Sequence, residues 1–183
     1  MSAEKTANLE GLLARAREGD SRSVGAIFSR YRGLVESVCA ARLGRGDLLG
    51  DAVQEVFLKL MLSVRQIREP GSLAGWLGRV ARTTAADLAV REAKRPEVEE
   101  RSALGREGPN APSPLEAALR NEESRRLMEA VMDLKPEFRE VLLLRYLHSR
   151  SYKEIAAVLD VPLTTVQVRL HRARRELAEK WRE

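Results

Sequence analysis

Apolar residues recur along this chain at intervals of three and four, the spacing of helices that bury one side. Residues 8–43 carry the pattern with one break at Gly19-Asp20, which predicts two helices; Gly44-Arg45-Gly46-Asp47 predicts a loop. A helix from about Leu48 to Gln66 sets Leu49, Val53, Val56, Phe57, Leu60 and Val64 on its inward side. After a turn at Glu69-Pro70-Gly71, Ser72 caps a helix that runs to about Lys94, with Leu73, Leu77, Val80, Thr84 and Leu88 facing inward. The pattern resumes as one helix over PLEAALRNEESRRLMEAVMDL, and Pro136 opens another through about Leu147. Two short helices with a tight turn follow. Ser151 and Glu154 form a capping box at the head of the first, and Ile155 and Leu159 share its buried face. Asp160-Val161-Pro162 breaks the pattern, and Leu163, Val166, Leu170, Ala173 and Leu177 make the inward seam of the last helix.

Composition agrees with an all-α fold. Ala, Leu, Arg and Glu are abundant and aromatic residues make up only 4% of the 183 positions. Between the two patterned regions lies RPEVEERSALGREGPNAPSP, with four prolines, two glycines and few large apolar residues, the composition of a flexible tether. The organisation expected is therefore two small domains of four helices each, residues 1–95 and 115–183, joined by residues 96–114. Residues 1–95 hold 16 basic against 11 acidic residues and 115–183 hold 14 against 12, whereas the connector holds 2 against 4. With a net charge of +5, two basic blocks flanking an acidic connector point to a polyanionic partner. Cys39 is the only cysteine, so no internal disulfide or multi-cysteine metal site is expected, and the residue reads as a small inert core position. No signal peptide or membrane span is visible, and a cytoplasmic protein is expected.

Three faces carry candidate chemistry. On the last helix Val168, His171, Arg172 and Arg175 point away from the seam, flanked by Gln167 and Arg169, and no carboxylate stands between Asp160 and Glu176. An unneutralised basic side on the second helix of such a pair is what phosphate and base-edge contact in the major groove requires. On the helix from Leu48, the reverse side mixes Asp51 and Glu55 with the large apolar Leu58 and Leu62, a surface suited to docking a basic, amphipathic protein partner. On the helix from Ser72, Arg79 and Arg82 project from a back lined by Gly75, Gly78, Ala86 and Ala89, where a nucleic-acid strand can approach closely. Trp76 stands at the edge of the buried stripe, and the turn before it is placed to receive an unstacked base.

Three segments in this order resemble the bacterial extracytoplasmic-function sigma factors, the short two-domain initiation factors of the sigma-70 family, over about Leu12 to Trp181. DAVQEVF at 51–57 is similar to the family's polymerase-clamp-binding helix. SLAGWLGRVARTTAADL at 72–88 is similar to its promoter-melting and −10-reading helix, and residues 134–174 are similar to its −35-reading domain. The resemblance implies that Asp51, Gln54 and Glu55, with Leu58 and Leu62, meet the clamp coiled coil of the largest polymerase subunit. It implies that Ile67, Arg68, Glu69 and Gly71, with Trp76, Arg79, Arg82 and Thr83, surround the flipped −10 base and the adjoining strand. Thr165, Gln167, Val168, Arg169, His171, Arg172 and Arg175 would then meet the −35 element. The implied partners are core RNA polymerase, including the flap of its second-largest subunit, promoter DNA and an anti-sigma factor, often membrane-bound, with no cofactor and no small-molecule substrate. Gln suits adenine and Val a thymine methyl, so a promoter read partly through A·T pairs is expected. An enzyme is disfavoured: His148 and His171 are the only histidines, and the serines lack a visible base partner. A conventional repressor would bind a palindrome as a symmetric dimer, which the asymmetric layout does not suit.

Overall fold

The computed structural model describes residues 3–44, 46, 48–94, 114–117 and 121–181; apart from Pro114, the expected tether lies outside them. The described elements are α1 (Ala3–Arg17), α2 (Ser21–Leu43), α3 (Leu48–Ser63), α4 (Leu73–Ala93), α5 (Pro114–Ala117), α6 (Glu122–Met132), α7 (Pro136–Tyr146), α8 (Tyr152–Leu159) and α9 (Leu163–Lys180), with short 3₁₀ turns at Val64–Gln66 and Pro70–Ser72. Among the described residues there is no β-strand. The break at Gly19-Asp20 works as the pattern requires: Gly19 takes φ +97°, and the Asp20 side chain accepts from the Arg22 amide at 3.0 Å to start α2.

Helices α1–α4 pack around α2, whose buried side runs from Ile27 through Tyr31, Leu34, Val38 and Ala41. Val56 and Leu60 of α3 and Leu73, Leu77 and Ala81 of α4 close this core. Helices α6–α9 build a second layer on α7, where Val141, Leu142, Leu143 and Leu144 are all buried against Ile155, Leu159, Val166 and Leu170. The two layers meet, α2 against α7 and α4 against α8, so the buried apolar residues form one continuous cluster.

Three local expectations are corrected. The segment read as one helix from Pro114 to Leu134 contains two helices, because the Asn121 side chain accepts from the Ser124 amide at 2.7 Å and starts α6 afresh. Leu115 of α5 is buried, and α5 lies on α2. Ser72 precedes α4 without capping it through its side chain; its hydroxyl instead donates to the Glu69 carbonyl at 2.7 Å and tightens the preceding turn. Leu163, placed in the seam of α9, is exposed, since the seam begins one turn later at Val166.

His148 follows α7 and reaches across to α2, where its Nε2 shares a 2.9 Å hydrogen bond with the Ser37 hydroxyl. Burial, then the nearby Arg150 charge, push its pKa down from the ordinary 6.5 to about 4, against a raising Gly33 backbone hydrogen bond. A histidine held neutral in the folded chain and freely protonated in the unfolded one contributes full stability above pH 6.5, and loses it as pH falls toward 4. Between pH 7.5 and 5 the loss attributable to this group is about 2 kcal/mol. Urea midpoints of wild type and His148→Gln measured across that range should converge as pH falls; parallel curves would mean that His148 protonates equally in both states.

Candidate nucleic-acid interface

The last two helices form a helix-turn-helix. The capping box is complete: Ser151 Oγ accepts from the Glu154 amide at 3.3 Å, and Glu154 Oε2 accepts from the Ser151 amide at 2.9 Å. The bond from the Ser151 amide first, then those from the Ser151 hydroxyl and Arg150, lower the Glu154 pKa against partial burial and keep the carboxylate charged where it serves the cap. Asp160 turns the chain with φ 53° and ψ 52°, a left-handed conformation that Asp adopts more readily than most residues, and α9 departs from Pro162. Val166, Leu170 and Ala173 are buried beneath α9, so its opposite side stands in solvent.

On that side Gln167, Val168, His171, Arg172 and Arg175 are exposed together, and Thr165 is half-buried at their edge. Arg169 differs: it is half-buried and its Nη1 is enclosed without a hydrogen-bond partner. Arg174, unmentioned in the sequence reading, donates to the Tyr146 hydroxyl at 2.8 Å and the Tyr152 hydroxyl at 3.3 Å. It braces α9 against α7 and α8.

The α3 face is exposed where a docking surface was expected. Asp51 and Gln54 lie at the surface, and Leu58 and Leu62 are 54% and 83% exposed, joined by Met61 at 57%. No helix of the described chain covers them. Glu55, however, is half-buried in ion pairs with Lys59 at 2.9 Å and Arg91 at 3.9 Å, and Lys59 also donates to the buried Thr84 hydroxyl at 2.8 Å. Glu55 therefore ties α3 to α4 as well as facing outward.

The loop and α4 depart most from expectation. Ile67, assigned to the loop that surrounds a base, is buried at 5% exposure, because the loop folds its apolar residue back against the core. Arg17 at the end of α1 holds this bend: its guanidinium donates to the carbonyls of Ile67 and Arg68, at 3.0 Å from Nε to the first and 2.7 Å from Nη2 to the second. Arg68, Glu69 and Gly71 remain exposed beyond the bend, with Arg79 and Thr83 on the first turns of α4, and Trp76 is partly buried against the core. Arg82 does not project into solvent. It lies 3.2 Å from a carboxylate oxygen of Glu140 on α7 and donates to the Leu159 carbonyl on α8. Gly75 and Gly78 are covered as well, by the Ala157 and Val158 carbonyls.

One feature had no counterpart in the sequence reading. An apolar groove of about 830 Å³ opens between α6, α7 and α9, lined by Leu127, Met128, Tyr146, Leu177 and Trp181. Its residues come from three helices separated by some fifty positions, which no single periodic window joins. Cys39 is buried with its thiol pushed up to about 12, chiefly by burial, as suits an inert core position. Among the described residues no cluster of three metal-ligating side chains occurs, and no helix is long and apolar enough to cross a membrane.

Known proteins share this arrangement. Residues 27–95 match the sigma-70 region 2 family and residues 124–177 match sigma-70 region 4, so α1 precedes the first match and the second covers the helix-turn-helix up to Leu177. The structure of CnrH in complex with the cytosolic domain of CnrY has the same fold, with a TM-score of 0.64 and 23% identity over 93% of this chain and 94% of that one. The chain is 28% identical to the ECF RNA polymerase sigma-E factor of Haemophilus influenzae over 93% of its length and 94% of the relative's. It is 31% identical to the ECF RNA polymerase sigma-E factor of Escherichia coli K12 over 92% of both chains. Helix order, both region matches and this identity over nearly the full length agree: the chain belongs to the ECF RNA polymerase sigma factors, initiation factors that direct RNA polymerase to promoters.

Proposed function

We propose that residues 1–95 bind the polymerase clamp and read and melt the −10 element, and that residues 115–183 read the −35 element, with residues 96–114 connecting them. The observation that carries this reading is the outer side of α9, where Gln167, Val168, His171, Arg172 and Arg175 are exposed beside a well-capped turn, Arg175 3.8 Å from Glu179 of the same helix. Thr165 approaches the flanking backbone, and Arg169 acts from beneath the surface by fixing the helix. The exposed Asp51, Leu58 and Leu62 offer the clamp coiled coil an acidic and apolar surface, with Gln54 and Glu55 beside them. The apolar groove between α6, α7 and α9 takes the flap of the second-largest subunit. Arg68, Glu69, Gly71, Arg79 and Thr83 receive the displaced −10 strand.

The chain supplies recognition, and the polymerase supplies the chemistry. It acts in the cytoplasm and is held in reserve by an anti-sigma factor. Mixing the purified chain with core RNA polymerase and a library of promoter fragments, then mapping transcript starts, should recover one bipartite motif whose −35 half carries adenine or thymine under Gln167 and Val168. Starts that do not change when the chain is added would overturn the reading.

A further inference from the structure

Three consecutive carbonyls in the loop before α4 are tied from within, two of them by one side chain of α1. Arg17 donates through Nε to the Ile67 carbonyl at 3.0 Å, and through Nη2 both to that carbonyl and to the Arg68 carbonyl, the latter at 2.7 Å. The Glu69 carbonyl accepts from the Ser72 amide at 3.0 Å and the Ser72 hydroxyl at 2.7 Å. Ile67 and Leu73 are buried, so residues 68–72 cross the surface between two fastened ends.

In a planar trans peptide the N–H points opposite to the carbonyl, so turning the Ile67 and Arg68 carbonyls toward Arg17 turns the Arg68 and Glu69 amides away from it. Among the described residues neither amide has a partner. Arg68, Glu69 and Gly71 are exposed on the same stretch. Arg17 is not needed to hold α1, because Leu9, Leu13 and Ala16 already bury that helix. Its bonds act on the loop instead. They also lie wholly within α1–α4, independent of the helices packed over α4.

We propose that Arg17 is a positioning residue for −10 recognition: by fixing the two peptides that follow Ile67, it holds the loop in its receiving shape before the displaced base arrives. The proposal rests on the assignment of Arg68, Glu69 and Gly71 to the −10 strand. Arg17 precedes the region 2 match, which begins at residue 27, so this control comes from outside the matched segment. Drawing a base from the stack costs unstacking energy, and a loop already ordered adds no ordering cost to it. A guanidinium suits the task because its planar fork serves two carbonyls at once, where an ammonium acts as a point charge.

The test compares Arg17→Met, which keeps an apolar stem and removes the donors, with Arg17→Lys, which keeps a charge without the fork. Each full chain is assembled with core polymerase on promoter templates carrying each of the four bases in turn at every −10 position. Abortive transcript yield gives the base preference, and core binding and thermal unfolding are measured beside it. At the position where wild type discriminates most, Arg17→Met should reduce the preference by roughly tenfold, on the scale of one hydrogen bond to a charged group. Arg17→Lys should fall between Arg17→Met and wild type. Affinity for core polymerase and for a −35 duplex should not change.

The positioning role is overturned if Arg17→Met keeps the wild-type preference, or if it lowers yield equally on all templates as the melting temperature falls. Should Arg17→Met fail to fold, Arg17→Lys decides: a reduced preference supports the role and a wild-type preference overturns it. A photoreactive thymine analogue at the discriminating position of the non-template strand checks the underlying reading. Crosslinks that avoid residues 68–71 in the polymerase-bound wild type defeat the −10 assignment of the loop, and the proposal with it. Crosslinks to residues 68–71 beside an unchanged preference in Arg17→Met defeat the positioning role alone.

Discussion

Asp51→Lys combined with Leu62→Glu is expected to abolish retention by core RNA polymerase while leaving the fold intact. Leu62 is 83% exposed, so replacing it removes no packing, and Asp51 is exposed in the first turn of α3. Reversing a charge there costs the chain about 0.3 to 1 kcal/mol through the helix dipole. The cost to association is larger. An apolar anchor lost from the centre of an interface weakens binding by about 2 kcal/mol or more, and a carboxylate replaced by a cation turns attraction into repulsion. Together they amount to about 4 kcal/mol, roughly a thousandfold in Kd. Labelled polymerase titrated with each chain reads the affinity, and thermal unfolding reads the fold. Glu55→Lys is the poorer probe, since it would set a third cation beside Lys59 and Arg91 and disturb the tie from α3 to α4. A double variant that binds as tightly as wild type would remove α3 from the polymerase interface.

Where local rules decide, the sequence was legible. The Ser151–Glu154 box, the left-handed turn at Asp160 and the inward seam Val166, Leu170, Ala173 each depend on residues within a turn or two of one another, and each stands where periodicity and capping place it. The break at Asn121 was hidden because its surroundings are helix-forming on both sides; only its bond to the Ser124 amide distinguishes a cap from one more polar position. The burial of Ile67 is hidden from the sequence for a different reason. The residue sits in a turn, but the bend that buries it is held by Arg17, fifty residues earlier, and no window spans that separation.

Arg82 shows the limit most clearly. The helical wheel of α4 correctly turns it away from the core of α1–α4, yet what lies beyond that core is the other half of the chain. A periodicity states which side faces out and not what it will meet. The counter-signal was present at Glu140, a carboxylate embedded in FREVLLL, since a charge in an otherwise apolar run demands buried cations. Its partner Arg42 is 98 residues away.

Arg172→Ala is expected to weaken binding to a −35 duplex by about 1 to 3 kcal/mol and to relax preference at one base position, without changing the melting temperature. Its side chain is exposed on the outer side of α9 and holds no other part of the chain in the described contacts, so truncation acts on the bound state alone. Arg169→Ala, at a half-buried position next to the exposed Val168, should behave oppositely. Its half-buried stem covers apolar surface, and losing it should lower stability while base preference is retained. Fluorescence anisotropy against each single-base variant of the selected −35 element separates the two cases. A contact to phosphate alone would appear as uniform weakening across all sequences, with the salt slope reduced by about one. If Arg169→Ala rather than Arg172→Ala relaxes base preference, α9 enters the groove rotated about its axis from the orientation its exposed side chains define, and Gln167 and Val168 cannot then read the A·T pairs assigned to them.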